Sequence, residues 1–177
     1  MRQVIVNNIS ARSLNFLKKK QDKINNVALY QKRCELAKKK WEEQDKIRVL
    51  AFQEIKSELI TFSPLCHYCE KEKARDIEHI FPKSLYPNKV FVWENYVYAC
   101  GECNQSFKRD NFAIFIPASS NTATDISPIQ NTNGQRLYQV PDNEDNLFIN
   151  IRTENAMSLV EIDLYNRTFS YKLKPVI

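Results

Sequence analysis

Glycine is nearly absent, with two residues in 177, so turns have to be built from Asn, Asp and Pro. No apolar run reaches the roughly 18–20 residues that a bilayer-spanning helix needs, which excludes such a helix as an anchor. The N-terminus also lacks the charged-then-apolar pattern of a signal peptide, and a cytoplasmic protein with no membrane partner is expected. Histidine is scarce: only His67 and His79 are present, so any imidazole chemistry has two candidates. Missing too is a clear helix-turn-helix or extra zinc-finger signature, so nothing identifiable reads bases.

What is present is a chain of 20.8 kDa, long enough for one full core with a helical extension. Hydrophobic content of 43% with 11% aromatics fits a globular protein. The net charge of +5 is unevenly placed: residues 1–65 hold 14 Lys and Arg against 7 Asp and Glu, and the remainder holds 12 against 14. A local excess of cations suits a polyanion, of which nucleic acid is the commonest. A solvated Lys-rich helix face is the other reading, and it stays open.

The most informative stretch holds two cysteine pairs, Cys66-x-x-Cys69 and Cys100-x-x-Cys103. Each short loop puts two thiolates at adjacent corners of a tetrahedron, and two loops close a four-coordinate structural Zn2+ shell. Thirty residues separate the pairs, more than the roughly 15–20 of a simple zinc module, so the zinc must clamp a longer insertion. That insertion contains His79, the natural candidate for a general base. His67, inside the first knuckle, reads as structural. Cys34 is left over, in a helical pattern that suits a small buried apolar residue.

Along the chain, Val4-Ile5-Val6 suits a strand or an extended lead-in. Ser10 or Ser13 can cap a helix, and apolar residues then recur at helical spacing from Leu14 to Leu59, with a break expected at Asn25-Asn26. This predicts one or two long amphipathic helices ending at Ser63-Pro64. A short strand is expected around residues 77–80, and Phe91 to Tyr98 should pack the back of the zinc module. A short helix is expected over residues 104–111. Residues 117–136 read as a surface loop or a meander. Period-two alternation at Val160, Ile162, Leu164 and at Phe169, Tyr171, Leu173, with Asn166 in the joint, argues for a β-hairpin, and a helical alternative stays open. The expected architecture is α+β, organised as a helical region (1–63), a zinc-stapled core (64–112) and a partly β extension (113–177).

The residues Glu78-His79-Ile80-x-Pro82, Trp93-Glu94-Asn95-Tyr96-Val97 and Ala99-Cys100-x-x-Cys103-Asn104 resemble the three motifs of the HNH nucleases, whose core is a ββα-metal unit. The resemblance implies that His79 takes a proton from the attacking water. It implies that Asn95 holds the hairpin loop by backbone hydrogen bonds, and that Glu78 and Asn104 ligate a catalytic ion. Oxygen donors favour Mg2+ or Mn2+ over a thiophilic metal, and one divalent ion can stabilise both the transition state and the leaving oxygen. Lys108 or Arg109 would grip a flanking phosphate. Adjacent strand positions face opposite sides, so Glu78 and His79 can serve one centre only at a twist, a bulge or a strand end. Two departures from the common pattern stand out: Glu replaces Asp before the histidine, and Lys108 falls one place later than the usual lysine.

The same motifs, with Cys-x-Tyr-Cys-Glu at 66–70, Pro-Lys-Ser at 82–84 and Cys-Asn-Gln-Ser at 103–106, resemble the small HNH effectors of retron and Septu-type anti-phage systems. That resemblance implies a DNA-cutting effector restrained or licensed by an ABC or SMC-like ATPase partner. Two other readings remain: a stand-alone restriction-type nuclease, and a non-catalytic zinc-dependent adaptor for nucleic acid or protein.

Overall fold

The structure, a computed structural model, describes residues 2–109, 112–115, 123–125, 145–146, 149–163 and 170–173. Three helices precede the cysteine-rich stretch, where one or two were expected: α1 (Ala11–Asn25), α2 (Tyr30–Glu42) and α3 (Leu50–Phe62). The break at Asn25-Asn26 is present, and a second one separates α2 from α3. There the Asp45 carboxylate accepts the Ile47 and Arg48 amides at 3.1 and 3.0 Å, a local turn that competes with helical bonding. Ser10 is the N-cap of α1 and accepts the Ser13 amide at 3.3 Å. Glu54 of α3 in turn accepts the Ser10 amide at 2.6 Å, the Ser10 hydroxyl at 2.8 Å and the Ser13 hydroxyl. Ser63 leaves the helical region ahead of Pro64, and α3 stops there.

Each helix buries a stripe at three- and four-residue spacing: Leu17, Gln21 and Ile24 on α1; Cys34, Ala37 and Trp41 on α2; Phe52, Ile55 and Leu59 on α3. These stripes meet Val90, Phe91, Trp93, Tyr96 and Tyr98 in the main core cluster. A fully buried side chain of this size contributes about 1.5–3 kcal/mol of burial free energy. The aromatic residues Phe91, Trp93, Tyr96 and Tyr98 therefore pack mostly on the helices, not behind the zinc module, because the helical stripes present a broad apolar surface that covers them. Val97 joins a second cluster with Val4, Ile80, Ile151 and Ala156. Val4 belongs to an extended lead-in, and its amide donates to the Ile151 carbonyl at 2.6 Å.

Strands β1 (Asp76–His79) and β2 (Tyr96–Ala99) pair antiparallel, with Asp76 opposite Ala99 and His79 opposite Tyr96. The long connection between them contains two single 3-10 turns, Pro87–Lys89 and Trp93–Asn95. After β2, residues Glu102–Lys108 form a π-helix, earlier in the chain than the helix expected from Asn104 and wound more widely: the Arg109 amide donates five residues back, to the Asn104 carbonyl, at 2.9 Å. Asn111 lies outside the described residues.

Further on, β3 (Ala113–Phe115) lies between β4 (Ala123–Asp125) and β5 (Asp145–Asn146). A short helix, α4 (Ala156–Leu159), leads into β6 (Val160–Asp163), which pairs antiparallel with β7 (Ser170–Leu173). The alternating segments thus form the hairpin. The rest of the 117–136 stretch, and the joint Tyr165-Asn166-Arg167-Thr168, lie outside the described residues. No described helix is long and apolar enough to cross a membrane.

Candidate active site and metal centre

The two knuckles are brought together by β2. Its neighbour across the hairpin is β1, but its carbonyl and amide at Tyr98 are also used by the first knuckle. The His67 amide donates to the Tyr98 carbonyl at 2.9 Å, and the Tyr98 amide donates to His67 Nδ1 at 3.1 Å. With Nδ1 accepting, Nε2 carries the proton and faces the Ser63 carbonyl at 3.4 Å. Burial holds His67 below its ordinary pKa, keeping it neutral. It is a strut of the knuckle, fully occupied by backbone.

The Sγ atoms of Cys66, Cys69, Cys100 and Cys103 all lie within 4.8 Å of one another. This spacing suits a tetrahedron of ~2.3 Å metal–sulfur bonds, whose edge is about 3.8 Å. Burial pushes the Cys66 and Cys103 thiols up, and the neighbouring sulfurs add to the effect. Burial acts in the same sense on Cys69, but amide donors from Glu72 and Lys71 carry it below the ordinary thiol. The resistance of the Cys66 and Cys103 thiols to ionisation is what a divalent cation reverses, since it takes thiolate ligands. The four-cysteine group fits a zinc ion.

About the end of β1 a cavity of about 150 Å³ is lined by Glu78, His79, Pro82, Lys83, Asn104 and Arg109. His79 is the last residue of its strand, the strand end that lets adjacent residues line one cavity. The sequence-selected residues Glu78, His79, Asn104 and Arg109 are thus neighbours. Lys108 is not on the wall. Its ammonium lies 2.8 Å from Glu78 Oε1, with both side chains about nine-tenths buried. Burial raises the Glu78 carboxyl, and Lys108 opposes that rise. Glu78 and Asn104 are oxygen donors suited to a hard divalent cation, and Lys108 already meets one of the two Glu78 oxygens.

His79 is 3% exposed. Its Nε2 lies 3.0 Å from the Val90 carbonyl, which also accepts the Tyr96 hydroxyl at 2.7 Å. A carbonyl can only accept, so Nε2 carries the hydrogen and Nδ1 keeps its lone pair. The ring is gripped edge-on by Trp41 at 4.3 Å and by Tyr96 at 5.3 Å between centroids. Burial, with Lys83, lowers its pKa to about 3. The imidazole is therefore neutral, with an available lone pair, at any ordinary pH.

Asn95 sits at the end of its 3-10 turn and is 3% exposed. Its Oδ1 accepts the Phe81 amide at 2.8 Å, and its Nδ2 donates to the Phe81 and Lys89 carbonyls at 3.1 and 2.8 Å. It ties the chain just after His79 to the chain just before Val90. A second tie comes from α1: Gln21 donates to the Pro87 carbonyl at 2.9 Å and accepts the Phe91 amide at 2.8 Å.

Four site neighbours escaped the sequence reading. Trp41 was legible only as a member of an apolar helical stripe and polar Gln21 not at all, and nothing local signals what a stripe will meet. Asp76 sits two residues before Glu78, hence on the same strand face, and its Oδ2 accepts from Asn104 Nδ2 at 3.3 Å and Gln105 Nε2 at 3.4 Å. That alternation was the available signal. Lys83 belongs to the cavity wall because the chain turns sharply at Pro82, whose carbonyl accepts the Leu85 and Tyr86 amides. Arg109 holds an uncommon positive φ of 45°, a conformation that non-glycine residues adopt at a cost and that clusters at functional sites.

Over 44 residues the chain is 41% identical to the Septu protein PtuB of Bacillus thuringiensis, a stretch that covers 22% of this chain and 17% of that protein. No known family profile matches the chain, and no solved structure matches it. The local match and the four-cysteine cluster are compatible with a Septu-like HNH effector.

Proposed function

We propose that this chain is a metal-dependent HNH endonuclease that hydrolyses phosphodiester bonds of nucleic acid, DNA above all, as the effector of an anti-phage system with an ABC or SMC-like ATPase partner. The observation that carries the reading is the single cavity lined by Glu78, His79 and Asn104. The defence role and the partner rest on the local likeness to a Septu protein.

In this reading His79 is the general base. Its Nε2–H is held by Val90, so Nδ1 receives the proton of the attacking water. A pKa of about 3 makes the free site a weak base, but one cause of the depression is nearby cationic charge. A phosphate drawn to Lys83 and Lys46 offsets that charge and strengthens the base when substrate is present. Asn95 and Gln21 fix the Val90 carbonyl and so the direction of Nδ1. A Mg2+ or Mn2+ ion held by Glu78 and Asn104 would supply Lewis-acid stabilisation of the phosphoryl charge and of the leaving oxygen. The four cysteines would hold zinc as a staple that keeps the π-helix, and with it Asn104, against β1.

One observation favours the adaptor reading instead: Lys108 gives Glu78 a resident cation, an arrangement that suits an idle site. Cleavage decides between them. Zinc-loaded protein is incubated with plasmid DNA and Mg2+ or Mn2+, with and without the ATPase neighbour, beside a His79→Ala variant of matched zinc content. Cutting by the unaltered protein alone supports the nuclease, and dependence on the neighbour supports the effector role. Equal cutting by His79→Ala overturns the assignment of the base. Inactivity of folded protein on DNA and RNA, with the neighbour present, leaves the adaptor.

A further inference from the structure

The positive charge about His79 comes from three separate places in the chain. Lys83 and Arg109 line the cavity itself. Lys46 belongs to the connection between α2 and α3, within the region that the sequence sets apart as a helical arm. Its Nζ donates to the Trp41 carbonyl at 3.1 Å and lies 4.6 Å from the centre of the Trp41 ring, and that ring is the one packed on His79. The lysine is thus fixed in place through Trp41, with one of its three donors used and two left for a ligand.

Among the described residues Lys46, Lys83 and Arg109 form no ion pair, and Glu78, the carboxylate of the cavity, is matched by Lys108. Glu42 acts on Lys46 from beyond ion-pair distance. Burial and the charge of Lys83 both hold the Lys46 ammonium below the ordinary lysine value. Like charges gathered at a half-buried site repel one another unless an anion joins them. The Trp41 carbonyl and ring hold the Lys46 ammonium in place, and the charge of Lys83 acts against it there.

We propose that Lys46 and Lys83 form a phosphate-binding subsite beside the His79 cavity that takes the backbone of nucleic acid, so that the α2–α3 connection is part of the substrate site. The inference deepens the nuclease reading and rests on it for the choice of polyanion. It also assigns the helical region a direct part in substrate binding, distinct from its role as packing for the hairpin. The exposed lysines of the helix faces, such as Lys38, lack any such fixed surroundings and serve as the internal comparison.

The test measures binding without cleavage. Zinc-loaded protein in EDTA-free buffer without Mg2+ or Mn2+ is titrated against fluorescein-labelled single- and double-stranded DNA at several salt concentrations, and affinity is read by anisotropy. Lys46→Gln and Lys83→Gln are each expected to weaken binding about 5- to 10-fold and to reduce the slope of log affinity on log salt by about one. Lys38→Gln, which removes the same charge elsewhere, should stay within about twofold. Lys46→Arg should recover most of the loss, whereas a fault in folding would not be rescued by charge. Unchanged affinity and salt slope in both glutamine variants overturn the subsite, as does failure of the unaltered protein to bind either DNA. Reduced binding by the variants of a protein that never cuts would uphold the subsite while the nuclease reading failed.

Discussion

Lys108 Nζ and Glu78 Oε1 lie 2.8 Å apart beneath the cavity, one from the π-helix and one from β1, with side chains 9% and 10% exposed. A pair so buried keeps both ions only because each is the other's solvation. Lys108→Met should destabilise the zinc-loaded protein by about 3 kcal/mol, within the range for breaking one side of a buried pair. The double variant Glu78→Gln, Lys108→Met should recover much of that loss. Equal unfolding midpoints in urea for the single variant and the unaltered protein would mean that the pair does not form.

The cysteine cluster is expected to bind one zinc per chain. Structural zinc contributes apparent binding free energies of about 10–16 kcal/mol in zinc-finger peptides, more than the whole stability of an ordinary domain. Cys66→Ser and Cys103→Ser should each lose the metal by elemental analysis and accumulate as insoluble protein. A soluble, zinc-free Cys103→Ser protein with unchanged circular dichroism would contradict a structural role.

Asn95 makes three hydrogen bonds to backbone groups of Phe81 and Lys89. Asn95→Ala strands those groups inside the loop, at a cost of about 2–4 kcal/mol if each buried bond is worth about 1 kcal/mol or somewhat more. The Phe81 amide should then exchange with solvent much faster than in the unaltered protein. Retained protection at Phe81 would show that Asn95 does not hold the loop.

Glu54 joins α3 to the start of α1, and its carboxyl is held below the ordinary value by the hydroxyl of Ser13 and the amide of Ser10. A lowered folded pKa means that the stabilisation is fully present above about pH 4.5 and fades as pH falls through the folded value. Glu54→Gln should therefore cost about 0.5–1 kcal/mol near pH 7, and the difference from the unaltered protein should vanish in acid. A difference that stays constant from pH 7 to pH 3 would exclude the carboxylate as its source.

Much of the site was legible in the chain because its chemistry is written in short spacings. A Cys-x-x-Cys loop holds two thiols side by side, and the four-cysteine cluster formed accordingly. Asn104 could be selected because it follows Cys103 directly, so the knuckle that joins the cysteine cluster carries it to Asp76 of β1. The C-terminal alternation was legible for an equally local reason, since period two specifies a strand whatever lies beyond it.

Other features carried no local signal. The turn that splits the helical region depends on Asp45 outcompeting helical hydrogen bonds over two amides, a contest too fine for periodicity to resolve. The π-helix begins earlier than expected because the second knuckle starts the winding before Asn104 is reached. Lys108 is directed to Glu78 by that wider winding, which spacing in the sequence does not reveal.

By itself, then, the sequence determined the four-cysteine group that can hold zinc, the α+β composition, and which residues bear donor atoms, because those follow from side-chain chemistry and from separations of a few residues. Only the tertiary structure decided that Trp41 grips His79, that Gln21 and Asn95 aim the Val90 carbonyl at its Nε2, and that Lys46 sits beside it. Those partners lie eleven to fifty-eight residues from His79, and what joins them is the burial of one shared core. An apolar stripe states that a helix must be covered, but not by what. The His79 imidazole is neutral, oriented and close to cations because of that covering.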